Sequence, residues 1–323
     1  MALLRSKFKS DATAPDRMAL LGHEADGHGL ADRVPELSIE AQRIASTVAH
    51  GVHGRRRSGP GENFWQFRQL QDGDSTHLID WRRSASSDHL YIREREWETA
   101  HTVWLWPDLS PSMAFKSHLA TVTKRERTLV LMFALGELLI RSGERIALMG
   151  VTKPSQFRKT TTKIAEMLSA RLRDKTVITS HPPEERVGRF ASTIWLSDFL
   201  DPIENIAPRM RQLAANGTVG HLIQVLDPAE ETLPYMGRTE FVGVEGDHRY
   251  IADRAESLRD AYQARLLAHR DELSTLCRSL GWSFALHHTD KPATEPVLAL
   301  ILRLAGQDVA VAKPAAAAVE AGP

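Results

Sequence analysis

The chain has one cysteine, Cys277, in 323 residues, which excludes an internal disulfide framework and a cysteine-rich zinc site. That thiol falls inside a helical pattern with no base near it in sequence, so a buried, unreactive side chain is expected. Net charge is missing as well: 41 Lys and Arg balance 41 Asp and Glu, leaving no global field toward nucleic acid or anionic lipid. The strongest basic run, Arg55-Arg56-Arg57 before a Gly/Pro loop, is too local to make a nucleic-acid reader; its Arg56 stands as either a partner contact or a solvated patch. No apolar stretch approaches roughly 18 residues before a charge interrupts it, and the N-terminus lacks the apolar core of a signal peptide. A soluble cytoplasmic protein without a membrane span is the expectation. There is also no Gly-x-Ser-x-Gly nucleophile elbow, and nothing in the spacing brings His77, His287 or His288 to a serine, so these histidines read as structural.

What the chain does have is 42% hydrophobic residues arranged in alternating strand and helix patterns from about residue 101 onward. Apolar runs begin at Val103, Arg145, Ser192, Val219 and Trp282, and amphipathic stretches follow at 121–142, 160–173, 202–216, 253–279 and 295–304. Such βα units predict an α/β fold with an open, mostly parallel sheet and helices on both faces. Residues 1–34 read as a flexible segment, and 35–304 as a single domain whose extension, 35–100, packs on it. Residues 305–323 read as a disordered tail. Within the extension, Ile39, Ile44 and Val48 suggest a short helix over 38–50 with Ser38 as its N-cap, and 90–94 reads as a strand entering the sheet.

The most informative stretch is residues 103–113, an apolar run that ends in Asp108, Ser110 and Ser112. Open α/β sheets bind ligands beyond the carboxyl ends of their strands, and short oxygen side chains two residues apart can converge in a tight loop. Hard cations take oxygen ligands, so Mg²⁺ or Mn²⁺, with Ca²⁺ as a further candidate, is the expected occupant, against a phosphate pocket or an Asp108 that only caps the following turn or helix. Asp198 ends a second strand of the same design and would be the acid across the switch point. Thr152 ends a third and would add a hydroxyl. Asp80, Trp81 and Arg82 form a compact block that reads either as a half-buried structural cluster or as a docking site.

The block Asp108-Leu109-Ser110-Pro111-Ser112-Met113 resembles the metal-ion-dependent adhesion site of von Willebrand factor A domains. Together with Gly73-Asp74 and Ile79-Asp80-Trp81-Arg82, the chain more specifically resembles bacterial domain-of-unknown-function family 58, a von Willebrand factor A-like family, over roughly residues 38–300. The resemblance implies a von Willebrand factor A-like fold and a partnership with MoxR-type AAA+ ATPases in the assembly or maturation of a client protein. It also implies a metal held by Asp108, Ser110 and Ser112, with Asp198 as the later acid and Thr152 as a weaker match. Many relatives resemble membrane proteins with N-terminal spans, which this chain lacks. A non-enzymatic adaptor is the leading expectation; a metal-dependent phosphoester hydrolase using Asp108 and Asp198, or a scaffold with an unused metal loop, are the alternatives.

Overall fold

The computed structural model describes residues 6–10, 26–53, 66–71, 76–87, 89–94, 101–174, 180–243 and 249–311. The chain divides into two compact units, Met1–His50 with His101–Pro323, and Gly51–Ala100. The first unit opens with β1 (Ser6–Ser10) and helix α1 (Asp26–His53). The helix starts twelve residues before Ser38, so part of the stretch expected to be flexible is helical, and Ser38 is an interior residue and not an N-cap. The reason is that Leu30, Val34, Leu37, Ala41, Ala45 and Val48 form one continuous buried stripe, whereas Ile39 is 53% exposed. Pro35 removes one backbone N–H from this helix without breaking the stripe.

In the second unit, β2 (Gln66–Gln69) pairs antiparallel with β3 (Tyr91–Glu94), and α2 (Trp81–Ser84) lies between them in sequence. The strand expected to enter the main sheet over 90–94 therefore belongs to a two-stranded ribbon. Ser84 ties the ribbon to α2: its hydroxyl donates to Asp80 O (2.8 Å) and accepts from Tyr91 N (2.9 Å).

Returning to the first unit, β4 (Thr102–Pro107), α3 (Lys124–Arg141), β5 (Arg145–Leu148), α4 (Thr160–Arg173) and β6 (Ser192–Ser197) follow as successive crossovers. Then come α5 (Ile203–Ala215), β7 (Val219–Leu226), the short α6 (Pro228–Thr232), and β8 (Thr239–Gly243) with β9 (Arg249–Ala252). The chain ends in α7 (Arg259–Ser279), β10 (Ser283–His288) and α8 (Thr294–Val311). Helix α8 runs seven residues past the expected end at Leu304, into the stretch expected to be disordered. β1, β8 and β9 make a small antiparallel sheet. The main sheet has the order β10-β7-β6-β4-β5, every pair parallel, with helices on both faces. Its first strand in sequence sits inside the sheet, and the direction of winding reverses between β4 and β6. That is the switch point where such sheets hold ligands.

Strand alternation sorts the core. Trp104 and Trp106 of β4 join Trp195, Trp282, Met210 of α5 and Leu273 and Cys277 of α7 in one buried cluster. The indoles meet edge to face, Trp106 on Trp195 at 6.0 Å and Trp195 on Trp282 at 5.4 Å. Burial raises the Cys277 thiol to about 12, in keeping with an inert side chain. On the other face, α3 approaches the sheet at Gly136, where an added Cβ would come within 3.2 Å of Ile146 and 3.5 Å of Leu105. Among the described residues no helix is long and apolar enough to cross a membrane.

Gly220 in β7 exists because Trp282 needs its space: an added Cβ would lie 2.0 Å from the indole. The ring is buried, and its Nε1 donates to Thr218 O at 3.0 Å, so it has no room to swing aside. Gly220→Ala should therefore cost at least ~2 kcal/mol in urea unfolding, more than an overpacked site that can relax. A variant with unchanged midpoint would show that the indole is loosely held.

Candidate metal centre

Asp108 sits at the switch point because the β4 to β6 ladder extends one residue beyond Pro107, with Asp108 N donating to Leu196 O at 2.8 Å. Its carboxylate is fully buried and accepts from Ser110 N (2.8 Å) at Oδ1 and from Ser197 Oγ (2.6 Å) at Oδ2. The first contact closes the chain into a tight turn, which brings Ser110 Oγ to 3.0 Å from Ser112 Oγ. Arg125 locks the turn from the helix side, Nε and Nη2 both donating to Ser110 O at 3.1 and 2.9 Å.

Asp198 follows β6 in the same way. Its backbone oxygen accepts from Gln224 Nε2 at 2.8 Å, its Oδ1 from Leu200 N at 3.2 Å, and its Oδ2 from Lys124 Nζ at 3.0 Å. Phe199, next to it, takes a left-handed φ of 47°, unusual for a side chain of that size and consistent with a backbone bent to serve the site. Lys124 reaches a second acid, Glu230 Oε1, at 2.6 Å. Glu230 is itself placed by a capping box at the start of α6: its Oε2 accepts from Asp227 N, and Asp227 Oδ1 accepts from Ala229 N, each at 2.9 Å. Asp227 Oδ2 accepts from Ser117 N at 2.8 Å, tying the loop after β4 to the loop after β7.

Charge is under strain here. Burial, and then the charge of Asp198, raise Asp108 to about 6 against the hydrogen bonds from Ser110 and Ser197 that pull it down. Burial likewise raises Glu230 to about 7 against the pull of Lys124. Burial alone would push the Lys124 ammonium down, but Asp198 and then Glu230 outweigh it and hold it above its ordinary range. Four buried carboxylates, Asp108, Asp198, Asp227 and Glu230, are gathered around two buried cations, Lys124 and Arg125, so the cluster keeps an excess of acid.

That excess, and the oxygen-only set of Asp108, Ser110 and Ser112, fit a hard divalent cation. Adjacent ligands of an octahedral ion with bonds of about 2.1 Å lie about 3.0 Å apart, the separation of the two serine oxygens. Among the described residues no group of three or more His, Cys, Asp or Glu is disposed to hold a metal, so hydroxyls would have to complete the set.

Of the residues singled out in the sequence, Asp108, Ser110, Ser112 and Asp198 converge. Thr152 is occupied in its own turn, where its Oγ1 accepts from Leu148 N at 2.8 Å, and no hydrogen bond joins it to Asp108 or Asp198 among the described residues. Asp80 caps α2 by accepting from Arg83 N at 2.9 Å, while Trp81 is 65% exposed and Arg82 is exposed, so indole and guanidinium are not half-buried with the acid. Arg56 lies outside the described residues. Sequence reading missed Lys124, Arg125, Ser197 and Glu230. One signal was present: Thr123 and Glu126 form a capping box, which puts Lys124 and Arg125 in the first turn of α3, where the helix dipole disfavours cations.

The fold is thus an α/β domain with a parallel sheet, helices on both faces, and buried acids and hydroxyls at its switch point. The chain belongs to the family described as protein of unknown function DUF58, which matches residues 66–272. Uncharacterized protein Rv1480 of Mycobacterium tuberculosis and Mb1516 of Mycobacterium bovis are each 25% identical over 291 residues, covering 84% of this chain and 89% of theirs. Among solved structures, BatB from Bacteroides thetaiotaomicron is 11% identical with a TM-score of 0.32, covering 64% of this chain and all (100%) of that one. An aerotolerance-related membrane protein from Bacteroides fragilis is 10% identical with a TM-score of 0.36 and the same coverage, 64% and 100%. Likeness at this level carries no argument about the present chain.

A carboxyl raised in the fold binds its proton more tightly there than in the unfolded chain. Its contribution is complete below the unfolded value of 3.8 and is lost as pH rises through about 6. In chelator, Asp108→Asn should thus be more stable than the parent by ~1–3 kcal/mol at about pH 8, the advantage shrinking toward about pH 5. Thermal melts across that range check this; an advantage that grows on acidification would contradict the charge strain.

Proposed function

We propose that this chain is a non-enzymatic protein-binding adaptor that captures its partner through a divalent cation, Mg²⁺ or Mn²⁺, held by Asp108, Ser110 and Ser112. The observation that carries the reading is the 3.0 Å spacing of two buried serine oxygens in the turn closed by the Asp108 carboxylate at the switch point. One carboxylate and neutral hydroxyls leave a bound dication most of its charge, so it would accept a carboxylate from another protein. The resemblance of this loop to the metal-ion-dependent adhesion site supports the same role, and it points to a MoxR-type AAA+ ATPase as the partner and to protein assembly or maturation as the task. Ser110 and Ser112 are only 1% and 3% exposed, so capture requires the serine loop to move outward when the partner docks. The hydrolase alternative is disfavoured because Lys124 holds Asp198, which removes it from an acidic metal pair.

Mn²⁺ titration followed by electron paramagnetic resonance tests the site, and surface plasmon resonance with a purified MoxR-type ATPase in Mg²⁺ or EDTA tests the partner. Asp108→Ala should weaken Mn²⁺ at least roughly tenfold, about 1.4 kcal/mol, and EDTA should release the ATPase. Equal Mn²⁺ affinity in the folded variant removes the metal site, and ATPase binding that ignores EDTA removes the metal-dependent mode.

A further inference from the structure

The proposed metal loop leaves one strongly built feature unexplained: a lysine buried to 1% exposure at the start of α3, aimed at two acids from different loops. Its ammonium has three protons. Two are directed to Asp198 Oδ2 (3.0 Å) and Glu230 Oε1 (2.6 Å), and the third side faces the Phe115 ring, 6.0 Å from Nζ to the centroid. Phe115 ends the serine turn, and its carbonyl accepts from Lys124 N at 3.2 Å, so the lysine is fastened to the same loop that carries Ser110 and Ser112.

We infer that Lys124 is a tethered cation that takes over the acidic half of this site, so that an exchangeable divalent ion binds Asp108, Ser110 and Ser112 without Asp198. The inference rests on the metal-binding reading for the exchangeable ion, but the role of Lys124 toward Asp198 and Glu230 stands apart from it. A primary ammonium between two carboxylates fills the position that a second oxygen-liganded dication would otherwise occupy. Asp198 then lies outside the shell of the exchangeable ion: it holds the Lys124 ammonium, while the serine turn is fastened to the Lys124 backbone N–H through Phe115 O and does not depend on that ion pair. The consequence is a latent second site. Without the ammonium, Asp198 and Glu230 become a buried carboxylate pair that has lost the cation between them, which is the ligand chemistry of Mn²⁺ or Ca²⁺.

The test uses the full chain and Mn²⁺ alone, read by electron paramagnetic resonance and by the Mn²⁺-dependent rise in Tm. Asp198→Asn should keep Mn²⁺ affinity within roughly threefold of the parent, whereas Asp108→Asn should lose at least roughly tenfold. Lys124→Met should gain a Tm rise with Mn²⁺ that exceeds the parent's, because a new ligand site forms only in the folded state. Adding Asp198→Asn to that variant should abolish the gain. Should Lys124→Met fail to fold without metal, Lys124→Gln, which removes the charge but keeps an N–H donor between the two acids, carries the same measurement. Two results overturn the inference: Asp198→Asn as damaging to Mn²⁺ binding as Asp108→Asn, or a lysine variant whose Tm responds to Mn²⁺ no more than the parent's. If the parent binds no Mn²⁺, the adaptor reading fails, while a gain in Lys124→Met still upholds Lys124 as the resident cation.

Discussion

Two carboxylates buried on neighbouring parallel strands have to be reconciled with each other, and most of what surrounds them does that work. Parallel pairing puts the carboxyl ends of β4 and β6 on one side of the sheet, so Asp108 and Asp198, each one residue past its strand, arrive together. In a low-dielectric interior such a pair repels strongly unless donors and cations face it. Ser197, the Ser110 N–H and the Leu200 N–H supply hydrogen bonds, and Lys124 supplies the charge. Remove that constraint and the left-handed Phe199 and the buried lysine have no purpose.

The positions of the helices follow from the same need. Lysine and arginine at the first turn of α3 oppose the helix dipole, a local cost that the acids across the sheet offset. The site is thereby spread over four segments: the turn after β4, the start of α3, the end of β6 and the capping box of α6. Ser117 to Asp227 couples the first of these to the last, and Lys124 to Glu230 couples the second to the last.

The opposite end of the sheet is built on another principle. There His101 bonds Ser192 and His221 bonds Ser283, each at 2.8 Å, and burial pushes His221 down to about 4, so it stays neutral at ordinary pH. A neutral His221–Ser283 pair joins β7 to β10 at that end, while the buried carboxylates are gathered at the carboxyl end. One sheet thus carries a stabilising rim and a strained rim, the latter where α/β folds place their chemistry.

The apolar runs and their spacing determined the βα alternation, the parallel sheet, the bounds of α4 and β7, and the convergence of Asp108, Ser110, Ser112 and Asp198. These are local properties, set by side-chain period and by the rule that strand ends meet at a switch point. Only the tertiary structure decided that α1 reaches back to Asp26, that 91–94 pairs within a ribbon, and that Thr152 serves its own turn. It also decided that Lys124 and Glu230, 106 residues apart, share one proton-rich contact. No period in the sequence encodes that distance. A buried ion pair is chosen by which loops the completed sheet brings within about 3 Å of each other, and that is a property of the fold as a whole.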